Sequence, residues 1–241
     1  MMASIIYLTG EELRKLFRGG KLKVLLTLSF LIGVIFVLIG ERVGLSGNLP
    51  VTALELLLAV VLPLFMVSLG SDLMAGEFKN GTIKNALKLP VSRGTLFMGK
   101  TLAGWTAGGL IVLSVFIPTF FGNIVLRGMS ALSTLGVTMA EVVGAILFCG
   151  LLVVLANSVS LWTGSGGVGM VVGIVLWMTM GVVGFFQPQL NRFFLTDFAD
   201  WLHPLLYRGD FGPSVTALLF MTAYYIMGII TGLLAFQKKE V

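Results

Sequence analysis

Residues 94–101 read GTLFMGKT, a letter-for-letter match to the nucleotide-binding pattern G-x-x-x-x-G-K-[ST]. How this octet is read decides the fold. A phosphate-binding loop must follow a β-strand and open a helix inside a soluble α/β domain, because backbone N–H groups cradle the phosphates there. The other reading is a helix that begins at a membrane surface and happens to carry two glycines and a lysine. Upstream, Pro90 interrupts any strand leading into the octet, and the stretch 72–100 is too short for a nucleotide-binding domain. Downstream, residues 101–126 are an apolar run long enough for a bilayer core, which takes about 20 helical residues. The octet is therefore the approach to a membrane span, and Lys100 reads as a positive anchor at its inner end.

Composition carries that reading to the whole chain. Of 241 residues, 57% are hydrophobic and 11% charged, with a mean hydropathy of +1.01. A soluble domain carries roughly 25% charged residues, so this chain cannot cover a water-facing surface. Six stretches qualify as spans: about 22–40, 51–71, 101–126, 137–157, 167–187 and 214–236. The expectation is an all-α polytopic membrane protein, a single transmembrane domain over residues 1–241. The first span reads as a retained helix, because its lead is 21 residues long and IGERVG offers no small-x-small cleavage site.

Lys and Arg set the orientation. With the N-terminus inside, the inner segments hold 12 of them and the outer segments four: Arg42, Arg127, Arg192 and Arg208. That asymmetry predicts both termini on the cytoplasmic side of the plasma membrane. The net charge of +5 thus reports orientation, not a nucleic-acid partner. A single Cys149 and a single His203 fall short of the three or four ligands a metal site needs. An intramembrane serine protease built on Ser165 in WTGSGGVG fails too, since its only histidine falls on the opposite side of the membrane.

Small-residue packing motifs are inconclusive. G-x-x-x-G occurs at 40/44, 104/108, 169/173 and 228/232, and 31 glycines in 241 residues yield about four such pairs by chance. The number of pairs carries no signal.

Three segments outside the spans are informative. Residues 3–18 place Ile5, Ile6, Leu13, Leu16 and Phe17 broadly on one helical face, with Glu11, Glu12, Arg14 and Lys15 largely off it. That predicts an amphipathic helix on the inner leaflet, weakened by Gly10. Residues 188–213 repeat Leu190, Phe193, Phe194, Phe198, Trp201 and Leu202 at helical spacing, predicting an interfacial or re-entrant helix over 190–202, broken at Pro204. Residues 77–100 contain a short helix with Ile83, Ala86 and Leu87 on one face, bracketed by Gly81 and Pro90, and Ser92 is placed to cap the following span.

The run Glu77, Gly81, Thr82, then Pro90, Ser92, Arg93 and Lys100 resembles the loop motif of type-2 ABC exporter permeases. The resemblance covers nearly the whole chain. It implies a six-helix membrane subunit that is not itself an enzyme and holds no cofactor, with ATP and Mg on separate cytosolic ABC ATPase subunits. It further implies a second permease copy or a sister permease as partner, and a coupling helix around 81–89 that docks on the ATPase. The coupling residues are then Glu77, Gly81, Thr82, Ile83, Leu87, Pro90, Ser92 and Arg93. Small permeases of this kind export amphipathic peptides, bacteriocins, toxins or drugs.

Two acids stand near the outer face, Glu55 and Glu141. A carboxylate at that depth calls for a basic partner, with Arg42 and Arg127 nearest in sequence, or for a water-filled vestibule. With Phe194, Phe198 and Trp201 they outline a candidate outer pathway. An autonomous ion-coupled carrier or channel is the competing reading, although such proteins place charged groups near the midplane and this chain has none there.

Overall fold

A chain this apolar satisfies its backbone polar groups internally, and helices are the local way to do so. The computed structural model describes residues 2–40, 42, 48–79, 81, 83 and 91–238, and among these the regular structure is entirely helical. Helix α1 (Met2–Arg18) is followed by α2 (Lys21–Gly40), α3 (Leu49–Leu56), a π-helical turn (Leu57–Val61), α4 (Leu62–Asp72) and α5 (Ala75–Lys79). Then come α6 (Arg93–Arg127), a 3₁₀ segment (Gly128–Thr134), α7 (Leu135–Thr163) and α8 (Gly166–Phe186). Two short helices, α9 (Pro188–Asn191) and α10 (His203–Arg208), precede α11 (Phe211–Lys238). Among the described residues five runs are long and apolar enough to cross a membrane: Lys21–Gly40, Leu49–Phe78, Arg93–Thr163, Gly166–Phe186 and Phe211–Lys238.

The octet GTLFMGKT lies wholly within α6, beginning at that helix's second residue. All eight of its residues are helical, so they do not form the loop whose backbone N–H groups cradle phosphate.

The core is the pair α6–α7. A Cβ on Gly104 would meet Val153 at 2.7 Å, and one on Gly108 would meet Cys149 at 2.9 Å. The paired numbers move in opposite directions, so the helices run antiparallel. Across this seam the Trp105 indole N–H donates to the Ile146 carbonyl at 2.7 Å, and the Asn157 amide donates to Thr101 Oγ1 at 3.2 Å. Around the pair, α2 and α1 pack on α6, α4 on α7 and α8, and α11 on α7. The outward faces stay apolar, with Val125 and Phe185 more than four-fifths exposed. Such a surface is covered by lipid or by protein.

Glycines place these helices. Gly228 abuts Val154, Gly232 abuts Phe97 and Ser158, and Gly169 abuts Ser160. Three of the G-x-x-x-G pairs therefore sit in helix contacts. Composition accounts for how many such pairs occur, but not for where they lie.

Two expectations change. Gly10 does not interrupt α1, and the face that α1 buries contains Leu8 and Glu12, while Ile6 and Tyr7 are exposed. Residues 190–202 are not one helix: α9 ends at Asn191, a 3₁₀ turn spans Leu195–Phe198, and Pro204 sits at the start of α10 instead of ending a helix. Proline is preorganised for a first helical turn, and it acts so here.

Candidate functional site

The first and last helices meet at one end of the bundle, where Leu8 of α1 and Phe236 of α11 share a buried cluster. The predicted coupling loop leaves and re-enters the bundle here. Glu77 is the middle residue of α5, and Gly81 follows that helix with φ +68°, a left-handed conformation that strains any side chain. Ile83 is 2% exposed and packs with Leu8, Met74, Leu96, Phe97 and Phe236, so it faces the chain's own core. Thr82, Leu87 and Pro90 lie outside the described residues. On the return side Ser92 is the N-cap of α6, its hydroxyl accepting the Thr95 N–H at 3.1 Å. Arg93 donates to the Phe236 and Gln237 carbonyls at 3.2 and 3.1 Å, satisfying acceptors that the end of α11 leaves open. Its guanidinium stands 5.7 Å from the Phe236 ring, which Phe78 meets edge-on at 5.9 Å.

Lys100 departs most from expectation. It is not an exposed anchor but is 0% exposed, with Nζ 2.9 Å from Glu12 Oε2 and 2.8 Å from Glu77 Oε1. Lys15 completes the group, 2.7 Å from Glu12 and 3.5 Å from Glu77. Two cations and two carboxylates from α1, α5 and α6 thus meet in one cluster. An isolated buried ammonium would cost several kcal/mol, and here each charge has opposite partners. Burial pushes the Glu12 carboxyl up, yet Lys100 and Lys15 outweigh it and hold the group below its ordinary value. For Lys15, burial pulls the ammonium down, and Glu12 and Glu77 outweigh it, leaving it raised. Beside this cluster Lys21 ties the start of α2 to α4, pairing with Asp72 and donating to the Ser68 carbonyl at 2.8 Å.

The opposite end is built differently. The π-helical turn precedes Pro63, near the start of α4, and such turns recur at functional sites. Its residues Leu58, Ala59 and Val60 line a cavity of about 780 Å³ together with Trp177 and Met178 of α8. Glu55, Asp200 and His203 supply charge to its wall. The charges acting on Glu55 are His203 and Asp200, and those acting on Glu141 are Glu55 and Asp200. Glu141 is 6% exposed and its Oε1 has no hydrogen-bond partner among the described residues. Among the described residues neither acid forms an ion pair.

The aromatic residues of 188–208 divide between packing and cavity. Phe198 is 1% exposed and stacks on Phe220 of α11 at 6.3 Å, so it belongs to the core and not to a pathway wall. Trp201 is half-buried, its indole N–H 3.4 Å from the Gly144 carbonyl, and Phe194 packs at Gly184 of α8. His203 stacks on Tyr207 at 4.5 Å. Burial, then Glu141 and Glu55, raise the Tyr207 hydroxyl above its ordinary value. Burial and Asp200 raise Asp197. Ser165 lies at the termini end, next to Gly166 against Asp72, far from the cavity that His203 lines.

The site residues missed by sequence are Glu12, Lys100, Asp200 and Trp177. The signal for the first two was a lysine placed inside an apolar helix, which demands a named counter-charge. No three His, Cys, Asp or Glu side chains among the described residues are placed to share a metal ion.

Entirely helical regular structure with five membrane-length runs among the described residues, a charge cluster centred on a buried lysine at one end and a cavity with two acids in its wall at the other, is the build of a multi-pass membrane protein. Residues 7–241 match the ABC-2 family transporter protein family, and the chain belongs to it. It is therefore an ABC-2 permease subunit, a membrane component without ATPase activity of its own. Permeases of this family pair with an ABC ATPase, which binds the nucleotide. Among curated proteins nothing matches the chain.

Proposed function

We propose that this permease exports a cationic amphipathic molecule, a peptide, toxin or drug, from the cytoplasm, with ATP spent on a separate subunit. The observation that carries the substrate class is the cavity. Its volume of about 780 Å³ lies within the roughly 300–1,000 Å³ of ligand sites. Its wall is mostly apolar, and the charges acting on Glu55 and Glu141 are acidic apart from His203. Carboxylates in such a setting are costly until a cation or water meets them. Glu55, Glu141, Asp200 and His203 would receive the cationic group, and Trp177 the apolar part.

The chain crosses the plasma membrane six times, because the run Arg93–Thr163 turns back at its 3₁₀ segment and α6 and α7 pack antiparallel. Both termini are cytoplasmic by the distribution of Lys and Arg. The segment around 81–89, held at its base by Glu77, Ser92 and Arg93, transmits closure of the ATPase to the helices. A second copy or a sister permease completes the pathway.

The test is the permease co-purified with its ATPase in proteoliposomes. ATP hydrolysis should be stimulated by a cationic amphiphile and not by its neutral or anionic counterpart. Gly81→Pro or Leu87→Asp should leave insertion intact and abolish that stimulation. Equal stimulation by all three amphiphiles rejects the substrate class. Wild-type export by both loop variants rejects the coupling loop.

A further inference from the structure

Lys100 is the only fully buried charged side chain among the described residues, and its two counter-charges come from different elements. Glu12 belongs to α1, and Glu77 lies in α5, the short helix that leads into the loop. Lys100 itself sits on the helix into which the loop returns. One ammonium thus joins the N-terminal helix to both sides of the loop base. The contact around it is close: a Cβ on Gly99 would lie 2.9 Å from the Leu8 Cβ, and Thr9 Oγ1 reaches the Gly99 carbonyl at 3.3 Å. Leu8 of α1, Ile83 of the loop and Leu96 and Phe97 of α6 share one buried cluster, so apolar packing joins α1 to the loop base as the charges do.

We propose that Lys100, Glu12 and Glu77 form a clamp that makes α1 move with the coupling loop, so that α1 is a second lever of the transport stroke. Lys100 is a positioning residue: it meets neither nucleotide nor substrate, and acts by holding Glu12 to Glu77. The clamp is internal to the chain, so its effect falls on coupling and not on ATP hydrolysis as such. This rests on the reading of 77–93 as the element that meets the ATPase.

The test uses the complete transporter in proteoliposomes. Glu12→Gln removes one jaw of the clamp and leaves Lys100 paired with Glu77. It should assemble with the ATPase and hydrolyse ATP at the basal rate, while substrate stimulation and export fall at least about fivefold. In that background a disulfide from Leu8→Cys and Gly99→Cys restores the attachment of α1 covalently, because the two Cβ positions lie within bonding reach after a small outward shift. Cross-linking should return stimulation to within about twofold of wild type, and reduction should abolish it again. A purely structural role for Glu12 would not respond to this switch. Wild-type export by Glu12→Gln overturns the clamp, as does a formed disulfide that restores nothing. If Glu12→Gln does not accumulate, a spin label on exposed Tyr7 of the otherwise unaltered chain decides. Its mobility should change when the ATPase binds ATP, and a label indifferent to nucleotide overturns the proposal. A defective Gly81→Pro beside a normal Glu12→Gln rejects the clamp alone, whereas a normal Gly81→Pro rejects the loop reading.

Discussion

The two ends of this bundle handle buried charge in opposite ways. At the termini end, Lys15 and Lys100 interleave with Glu12 and Glu77, and no space remains around the ammonium of Lys100. At the far end, Glu55, Asp200 and His203 line a cavity of about 780 Å³, and Glu55 and Asp200 act in turn on Glu141. A closed, balanced cluster is architecture, since each group's desolvation is offset by a partner on another helix. An open, unbalanced one is costly on its own, and its compensation must arrive from outside. Charge placement therefore separates the scaffold of this permease from its receiving surface.

The largest effect should come from breaking the balanced end. Lys100→Met keeps the bulk but leaves Glu12 and Glu77 facing each other, and should destabilise the protein by about 3–5 kcal/mol. Thermal unfolding in detergent measures it; a loss under 1 kcal/mol would mean that water reaches the cluster. At the unbalanced end the same kind of change should act in reverse. Glu55→Gln removes one acid from a group of three, so stability should hold or rise by less than about 1 kcal/mol. Export of a cationic amphiphile should nevertheless fall about tenfold, equivalent to about 1.4 kcal/mol in transition-state stabilisation. Equal losses of stability at both ends would erase the contrast.

A smaller effect belongs to the cap. Ser92→Ala leaves the Thr95 N–H without its acceptor and should cost about 1 kcal/mol, read as faster amide exchange confined to the first turn of α6.

The smallest effect is the response to pH, and its sign differs between the ends. Glu12 is held below its ordinary value by Lys100 and Lys15 despite burial. Its contribution is therefore full above the ordinary carboxylate range and is lost only as pH falls through the lower, folded value. Lys15 is raised by Glu12 and Glu77 against burial, so its contribution is full below the ordinary lysine range and is lost only as pH rises through the higher folded value. Docking of α1 should be flat from about pH 6 to about pH 9. Asp197 is raised by burial and Asp200, so it favours the folded far end as pH falls toward the ordinary carboxylate range. Region-resolved hydrogen exchange should show the 188–208 segment tightening in mild acid while α1 does not. Parallel responses would contradict these assignments.

What the sequence made legible follows from how local each signal was. The helical runs were readable because length and apolarity are properties of contiguous residues, and α2 and α11 begin and end close to the expected limits. The cap at Ser92 was readable from one hydroxyl before a helix. The buried face of α1 was not, because Glu12 counts as a solvent-facing charge until Lys100, 88 positions away in the chain, is known to meet it. The 188–208 segment misled for a related reason. Its aromatics recur at helical spacing, but Phe198 is held by Phe220 and Tyr224 of α11, and that tertiary contact outweighs a continuous helix. The cavity joins residues from α3, α8 and 196–203, a juxtaposition that only the fold creates.

The antiparallel pair α6–α7 has a kinetic consequence. Its internal contacts join residues 41 to 56 positions apart, as in Trp105 with Ile146 and Asn157 with Thr101, across a 3₁₀ turn of seven residues. Most other helices must wait for this hairpin, because α1, α2, α4 and α11 all dock on one or other of its faces. Short loop closure makes such a unit early to form and late to open. Biogenesis of this permease should thus proceed outward from residues 93–163: a chain truncated after Thr163 should already protect the α6–α7 seam, and one truncated before α7 should leave α1 and α2 without their seat.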